Sequence, residues 1–231
     1  MCEMSAGIIA LVGGAEWTDG CDFDSYLLKA SGSKEVSVLP TAAAYERPEL
    51  AVQHSQQWFS ALGARVNPVM VLTRKESEDE IFARQIENSS FIYLSGGSPM
   101  HLFSVLDESK CFQAIISALR KGAVLAGSSA GAMVLTDPMV DMRGGGLTLG
   151  LGLLKNLAIL PHYNSVSNDL RQRVVSLAEP EVVVAGIDEK TALIRSADGE
   201  WTEMGTGHVH LSRAGTEFEL SQLKSVTGTT I

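Results

Sequence analysis

Leu125-Ala126-Gly127-Ser128-Ser129-Ala130-Gly131-Ala132-Met133-Val134 joins an apolar run of strand length to a Gly-x-Ser-x-Gly turn and then to a helical pattern. Strand, sharp turn and helix in that order are the context a nucleophile elbow requires. Such a turn holds its central residue in a strained backbone conformation, and the flanking glycines let neighbouring chain pass close by. Ser129 is therefore expected to stand above the end of a parallel sheet. At the start of the following helix the Ala130 N–H is placed to donate to a developing oxyanion, with the helix dipole favouring negative charge there. The competing reading is a Gly/Ser-rich turn that merely caps a helix; the strand before it and the helix after it weigh against that.

Outward from this stretch, short β-branched or apolar runs at residues 7–12, 35–39, 64–69, 91–94 and 123–126 alternate with longer helical patterns. That alternation predicts βα repeats around a parallel sheet, and the unbroken apolar runs suit strands covered on both faces. Leu50, His54, Trp58 and Leu62 recur every four residues, so residues 48–62 read as a helix with Pro48 at its start and Gly63 as its cap. Residues 76–87 and 110–120 read as helices too. After Pro138 the glycine run 144–146 reads as a loop, followed by an apolar segment at 151–161 and a helix near 166–177. Residues 182–187, a turn at Asp188-Glu189-Lys190 and residues 191–194 carry a hairpin signal. Short strands near 201–204 and 209–211 complete an antiparallel C-terminal extension. The expected fold is α/β, a mainly parallel sheet flanked by helices, in one domain over 1–231.

Composition narrows the function. The chain has 231 residues, 45% hydrophobic and 19% charged, enough to bury one large core and unlike a disordered chain. Eighteen basic against 27 acidic side chains give a charge of −9 with no Lys/Arg-rich run, so neither nucleic acid nor an anionic membrane is an expected partner. No apolar stretch approaches the ~20 residues that span a bilayer. Met1-Cys2-Glu3-Met4-Ser5 lacks the basic segment and apolar core of a secretory signal, which leaves a cytoplasmic location as the expectation. Cys2, Cys21 and Cys111 are widely spaced and read as reduced thiols, without a disulfide framework or zinc knuckle.

A serine nucleophile needs a base, and there are five histidines. His54 falls within a helix face. His208 and His210 share a face of a strand but lack a third ligand nearby, so an exposed pair is expected rather than a metal site. His101 sits in the first turn of a helix. His162, in Ile159-Leu160-Pro161-His162-Tyr163-Asn164, ends an apolar run where a sheet presents side chains to a crevice. Gly13-Gly14 and Gly96-Gly97 end two other strands, where α/β ligand sites form; neither belongs to a nucleotide-binding glycine motif.

With these residues in hand, the chain resembles the serine peptidase family that includes cyanophycinase and the aspartyl dipeptidase called peptidase E. The resemblance covers nearly the whole chain. It is carried by Val12-Gly13-Gly14-Ala15-Glu16, Leu39-Pro40-Thr41-Ala42-Ala43, Leu94-Ser95-Gly96-Gly97, Gly127-Ser128-Ser129-Ala130-Gly131-Ala132, Gly150-Leu151-Gly152-Leu153-Leu154, Pro161-His162-Tyr163 and Gly186-Ile187-Asp188-Glu189-Lys190-Thr191-Ala192-Leu193. It implies a class I glutamine amidotransferase-like, flavodoxin-like fold, with Ser129 as nucleophile, His162 as general base, and Gly97 and Ala130 supplying the oxyanion hole. For the third member the resemblance favours Glu189, whose flanking motif is intact, over Asp141, the acidic residue of the Gly-rich loop region, which has no matching context. Cyanophycinases carry a glutamine after the Gly-Gly pair and several arginines after the histidine. Here Ser98-Pro99 stands in the first place and Arg171 alone matches the second, which puts cyanophycin in doubt as substrate.

The reading is thus a cytoplasmic serine peptidase of small or unusual peptides, aspartyl or isoaspartyl types among them, with Ser98, Asn164 and Arg171 as candidate substrate contacts. No cofactor or metal is implied. A peptide or small-molecule substrate is the expected partner, and the resemblance allows a homodimer. An esterase or acyl or amido transferase with the same three residues, and a binding module that keeps the elbow as architecture alone, are the alternatives.

Overall fold

The computed structural model describes residues 7–230. The N-terminal pentapeptide and Cys2, read above for targeting and thiol chemistry, lie outside the described residues. The first half of the chain runs β1 (Ile8–Val12), α1 (Phe23–Ser31), β2 (Glu35–Leu39), α2 (Pro48–Ala61), β3 (Arg65–Pro68), α3 (Arg74–Ser77), α4 (Glu80–Glu87), β4 (Phe91–Leu94), α5 (Pro99–Leu106), α6 (Lys110–Arg120) and β5 (Val124–Ser128). After the elbow come α7 (Ala130–Val134) and the short strands β6 (Thr136–Asp137), β7 (Met139–Asp141), β8 (Gly146–Thr148) and β9 (Leu154–Lys155). The chain ends with β10 (Leu157–Leu160), α8 (Asn168–Leu177), β11 (Val183–Ile187), β12 (Thr191–Arg195), β13 (Trp201–Gly205), β14 (Val209–Arg213), β15 (Thr216–Glu217), α9 (Leu223–Val226) and β16 (Gly228–Thr229).

Seven strands form the main sheet in the order β13-β12-β1-β5-β4-β2-β3, parallel from β1 to β3, with β12 and β13 antiparallel at the other edge. Period-two alternation sends its side chains into two cores. Ala10, Val12, Val36, Val38, Phe91, Tyr93, Val124 and Ala126 pack with Phe23 and Leu27 of α1 and Phe59 of α2. On the other face Ile9, Leu11, Ile92, Leu94 and Leu125 pack with Leu102 of α5, Ile115 and Leu119 of α6 and residues of a second sheet, β10-β11-β14-β15. Each fully buried Val, Leu, Ile or Phe contributes about 1.5–3 kcal/mol, so burial on both faces holds β1, β4 and β5 rigidly. Their carboxyl ends lie side by side, and there the site is built.

Three local expectations change. Residues 182–187 and 191–194 do not pair as a hairpin. β11 pairs with β10 and β14 in the second sheet, while β12 crosses to the main sheet and covers the edge of β1. Alternating apolar residues cannot tell a strand which edge awaits it, and the exposed edge of β1 takes β12. The helix over 76–87 is two helices, because Thr73 and Glu76 close a capping box on α3 and the Asp79 carboxylate then accepts the Ile81 N–H at 2.7 Å to start α4. In α2 the buried stripe is Pro48, Val52, Ser55 and Phe59; His54 is exposed, and Leu50, Trp58 and Leu62 only flank the contact.

Candidate active site

The elbow places Ser129 between β5 and α7 with φ 49° and ψ −108°, a sparsely populated conformation for a residue with a side chain. Gly127 and Gly131 make this possible. A Cβ on Gly127 would lie 2.5 Å from the Gly131 backbone, and one on Gly131 would lie 2.4 Å from the Leu94 carbonyl oxygen. Ser129 itself is half-buried, its hydroxyl directed at an imidazole.

That imidazole is His162, just beyond β10. Its Nε2 lies 3.0 Å from Ser129 Oγ and its Nδ1 lies 2.8 Å from Glu189 Oε1. An ionised carboxylate only accepts, so Nδ1–H donates to Glu189 and Nε2 is left to accept the Ser129 hydroxyl proton. Gly14 makes room for the ring, since a Cβ there would come within 2.2 Å of imidazole Cε1. Glu189 sits in the link from β11 to β12, where Asn164 Oδ1 accepts the Glu189 N–H at 3.1 Å. Consecutive carbonyls at the end of β1 fix all three segments: Val12 O accepts the Ser129 N–H at 2.9 Å, Gly13 O accepts the His162 N–H at 2.7 Å, and Gly14 O accepts the Lys190 N–H at 2.9 Å.

Past β4, next to Gly96, Gly97 N–H donates to no acceptor among the described residues. Ala130 N–H, at the first position of α7, has no intrahelical partner either. Asp141 is engaged elsewhere: Arg143 clamps it at 2.7 and 2.9 Å and, with its backbone N–H, holds the carboxyl down to about 2. The acid beside His162 is therefore Glu189.

The residues expected at the substrate have partners within the protein. Ser98 caps α5, its Oγ accepting the His101 N–H at 3.3 Å. Asn164 serves the Glu189 turn. Arg171 donates to the Tyr163 carbonyl and lies 4.2 Å over the Tyr163 ring. His208 and His210 are exposed and face Glu203 and Asp188, and among the described residues no group of three or more His, Cys, Asp or Glu is placed to hold a metal ion. One residue without an assigned role stands at the centre: the Glu16 carboxylate accepts the Gly96 N–H at 3.0 Å and the Ser128 hydroxyl at 2.8 Å. Its place at the end of the Val12-Gly13-Gly14-Ala15-Glu16 motif was the signal available in the sequence.

Fold and geometry together describe an α/β protein whose strand-to-helix elbow presents a serine hydrogen-bonded to a histidine that in turn meets a carboxylate. The profile of Peptidase family S51 matches residues 9–201, and the chain belongs to that family; it is a serine peptidase. It is 27% identical over 217 residues to the cyanophycinase of Synechococcus elongatus, a match covering 88% of this chain and 67% of that protein. An uncharacterized peptidase of Listeria monocytogenes is 28% identical over 153 residues, covering 62% of this chain and 73% of that one. Among solved structures, a peptidase from an acI-B1 actinobacterium superposes with a TM-score of 0.84 at 28% identity over 93% of this chain and 94% of that chain. A putative peptidase E protein from Listeria monocytogenes EGD-e, 18% identical with a TM-score of 0.62 over 90% of this chain and 98% of that chain, shares the fold. Among the described residues no helix is long and apolar enough to cross a membrane.

Proposed function

We propose that this serine peptidase hydrolyses amide bonds of small peptides through an acyl-enzyme on Ser129. The observation that carries the reading is the unbroken hydrogen-bonded chain from Glu189 through His162 to Ser129, at 2.8 and 3.0 Å, ending on a strained elbow. As Ser129 Oγ attacks the scissile carbonyl, His162 Nε2 takes its proton, and Glu189 stabilises the imidazolium and holds the ring in the productive tautomer. The carbonyl oxygen gains charge facing the Gly97 and Ala130 N–H groups, each such donor being worth about 10²–10³-fold in rate. His162 then returns the proton to the leaving amine, activates a water, and the ester on Ser129 is hydrolysed. The scheme draws on protein groups and water.

For the substrate, the names of the relatives, cyanophycinase and peptidase E, support small or unusual peptides. Aspartyl and isoaspartyl dipeptides are the first to try. With Ser98 and Arg171 engaged internally, cyanophycin is not the favoured substrate.

The test is intact-mass spectrometry of wild type, Ser129→Ala and His162→Ala after exposure to a small fluorophosphonate. The expected result is one adduct on wild type, mapped to Ser129, absent in Ser129→Ala and slowed on the order of 10³-fold or more in His162→Ala. Folded wild type that takes no adduct on long exposure, or an adduct that persists in Ser129→Ala, overturns the assignment.

A further inference from the structure

We infer that Glu16 is a positioning residue for the oxyanion hole, its carboxylate fixing the Gly96-Gly97 segment so that the Gly97 N–H faces the oxygen that charges at Ser129. The inference rests on the reading of Ser129 as nucleophile and Gly97 as oxyanion donor.

Past β4 the chain is Gly96-Gly97, and Gly97 has φ +138°, outside the range that side-chain-bearing residues readily adopt. Two glycines in succession leave the intervening peptide many orientations, and only a few aim the Gly97 N–H at the nucleophile. The structure ties the amides on either side. Gly96 N–H goes to Glu16 Oε1 at 3.0 Å, and Ser98 N–H goes to the Ala42 carbonyl at 2.8 Å. The N–H between them is the one left without an acceptor among the described residues.

Glu16 also sets this segment against the nucleophile. Its Oε2 accepts the hydroxyl of Ser128, a fully buried residue directly before Ser129. One carboxylate thus joins the loops that follow β1 and β4 to the last residue of β5. The spacing is close: a Cβ on Gly96 would lie 3.2 Å from Glu16 Oε1 and 3.5 Å from Ser129 Cβ. A displacement of Gly96 therefore moves the Gly97 donor relative to Ser129, and about 1 Å of misplacement is enough to cost on the order of 10²-fold in rate.

What the arrangement asks of residue 16 is reach and an acceptor oxygen, and charge is secondary. Glutamine keeps both: its carbonyl oxygen accepts the Gly96 N–H while its amide donates to Ser128 Oγ, which accepts in turn. Aspartate keeps the charge but is one methylene too short to bridge Gly96 and Ser128 together.

The second-order rate of fluorophosphonate labelling, followed by intact mass, tests this for wild type, Glu16→Gln, Glu16→Asp and Glu16→Ala, at a temperature where circular dichroism shows each folded. Glu16→Asp and Glu16→Ala should label roughly 10- to 100-fold more slowly. Glu16→Gln should stay within about 3-fold of wild type, a rescue by shape that neither a charge effect nor a general loss of stability produces. If Glu16→Ala does not fold, the Gln and Asp variants still decide. Glu16→Asp labelling at the wild-type rate, or Glu16→Gln as slow as Glu16→Asp, overturns the role of Glu16 while leaving Ser129 as nucleophile. Wild type that takes no label removes both readings.

Discussion

Glu189 and Asp141 offer the same carboxylate, and their neighbours separate them. Glu189 meets His162 Nδ1, whereas Asp141 is closed off by Arg143. Glu189→Gln should therefore lower the labelling rate on the order of 10³–10⁴-fold, the scale seen when a triad acid becomes an amide, while Asp141→Asn should leave it within a factor of about two. Equal losses in the two variants would reject the assignment. Gly14→Ala makes a second test at this scale: its methyl would occupy the place of the imidazole, and the labelling rate should fall on the order of 10²-fold with the protein still folded. Ser129 stood out in the sequence because the elbow is a local pattern with its own mechanics, and His162 only through the resemblance carried by the Pro-His-Tyr run; the structure brings the two within 3.0 Å. Glu16 belongs to a quoted motif but its task was not legible, since its partners, the Gly96 N–H and the Ser128 hydroxyl, lie 80 and 112 residues away.

At the scale of elements, Ser98 separates two roles cleanly. As the cap of α5 it holds the His101 N–H, so Ser98→Ala should cost about 1 kcal/mol in denaturant unfolding while leaving the labelling rate and the KM for any dipeptide substrate unchanged. A KM that rises with no loss of stability would return Ser98 to the substrate. The parallel strands were legible because burial on both faces leaves an unbroken apolar run, as in Phe91-Ile92-Tyr93-Leu94. The pairing of β11 and β12 was not, because a turn at Asp188-Glu189-Lys190 looks the same whether the next strand returns or crosses to another sheet. The phase of α2 misled for a simpler reason: Trp58 and Leu62 are apolar yet only half-buried, and Ser55, which bonds its own backbone at Val52, is fully inside. The short strands β6 to β9 carry too few residues each for any period to register.

The whole molecule carries a buried acid that couples its stability to pH. Asp24, at the start of α1, is inaccessible to solvent; Trp58 Nε1 donates to its Oδ2 at 2.9 Å while Oδ1 has no partner among the described residues. Burial raises its carboxyl from the ordinary 3.8 to about 8, against the Trp58 bond and with the Glu16 charge adding to the rise. A group whose pKa is higher folded than unfolded contributes stability that is fully present below about 4 and lost as the pH climbs through about 8. Urea midpoints should therefore fall between pH 5 and pH 8.5 in wild type and fall less in Asp24→Asn, whose amide oxygen can still accept from Trp58. An undiminished pH dependence in the variant would place the effect elsewhere.

The three carbonyls at the end of β1 have a consequence of another kind. They are main-chain atoms, which every amino acid supplies alike, so substitution at Val12 leaves the Ser129 contact in place as long as the strand stays paired between β5 and β12. The alignment of Ser129, His162 and the Glu189 turn thus rests on a strand register, with no side chain of β1 bonding to any of the three. A one-residue insertion in β1 has the opposite effect: it puts Ser129, His162 and Glu189 out of step together.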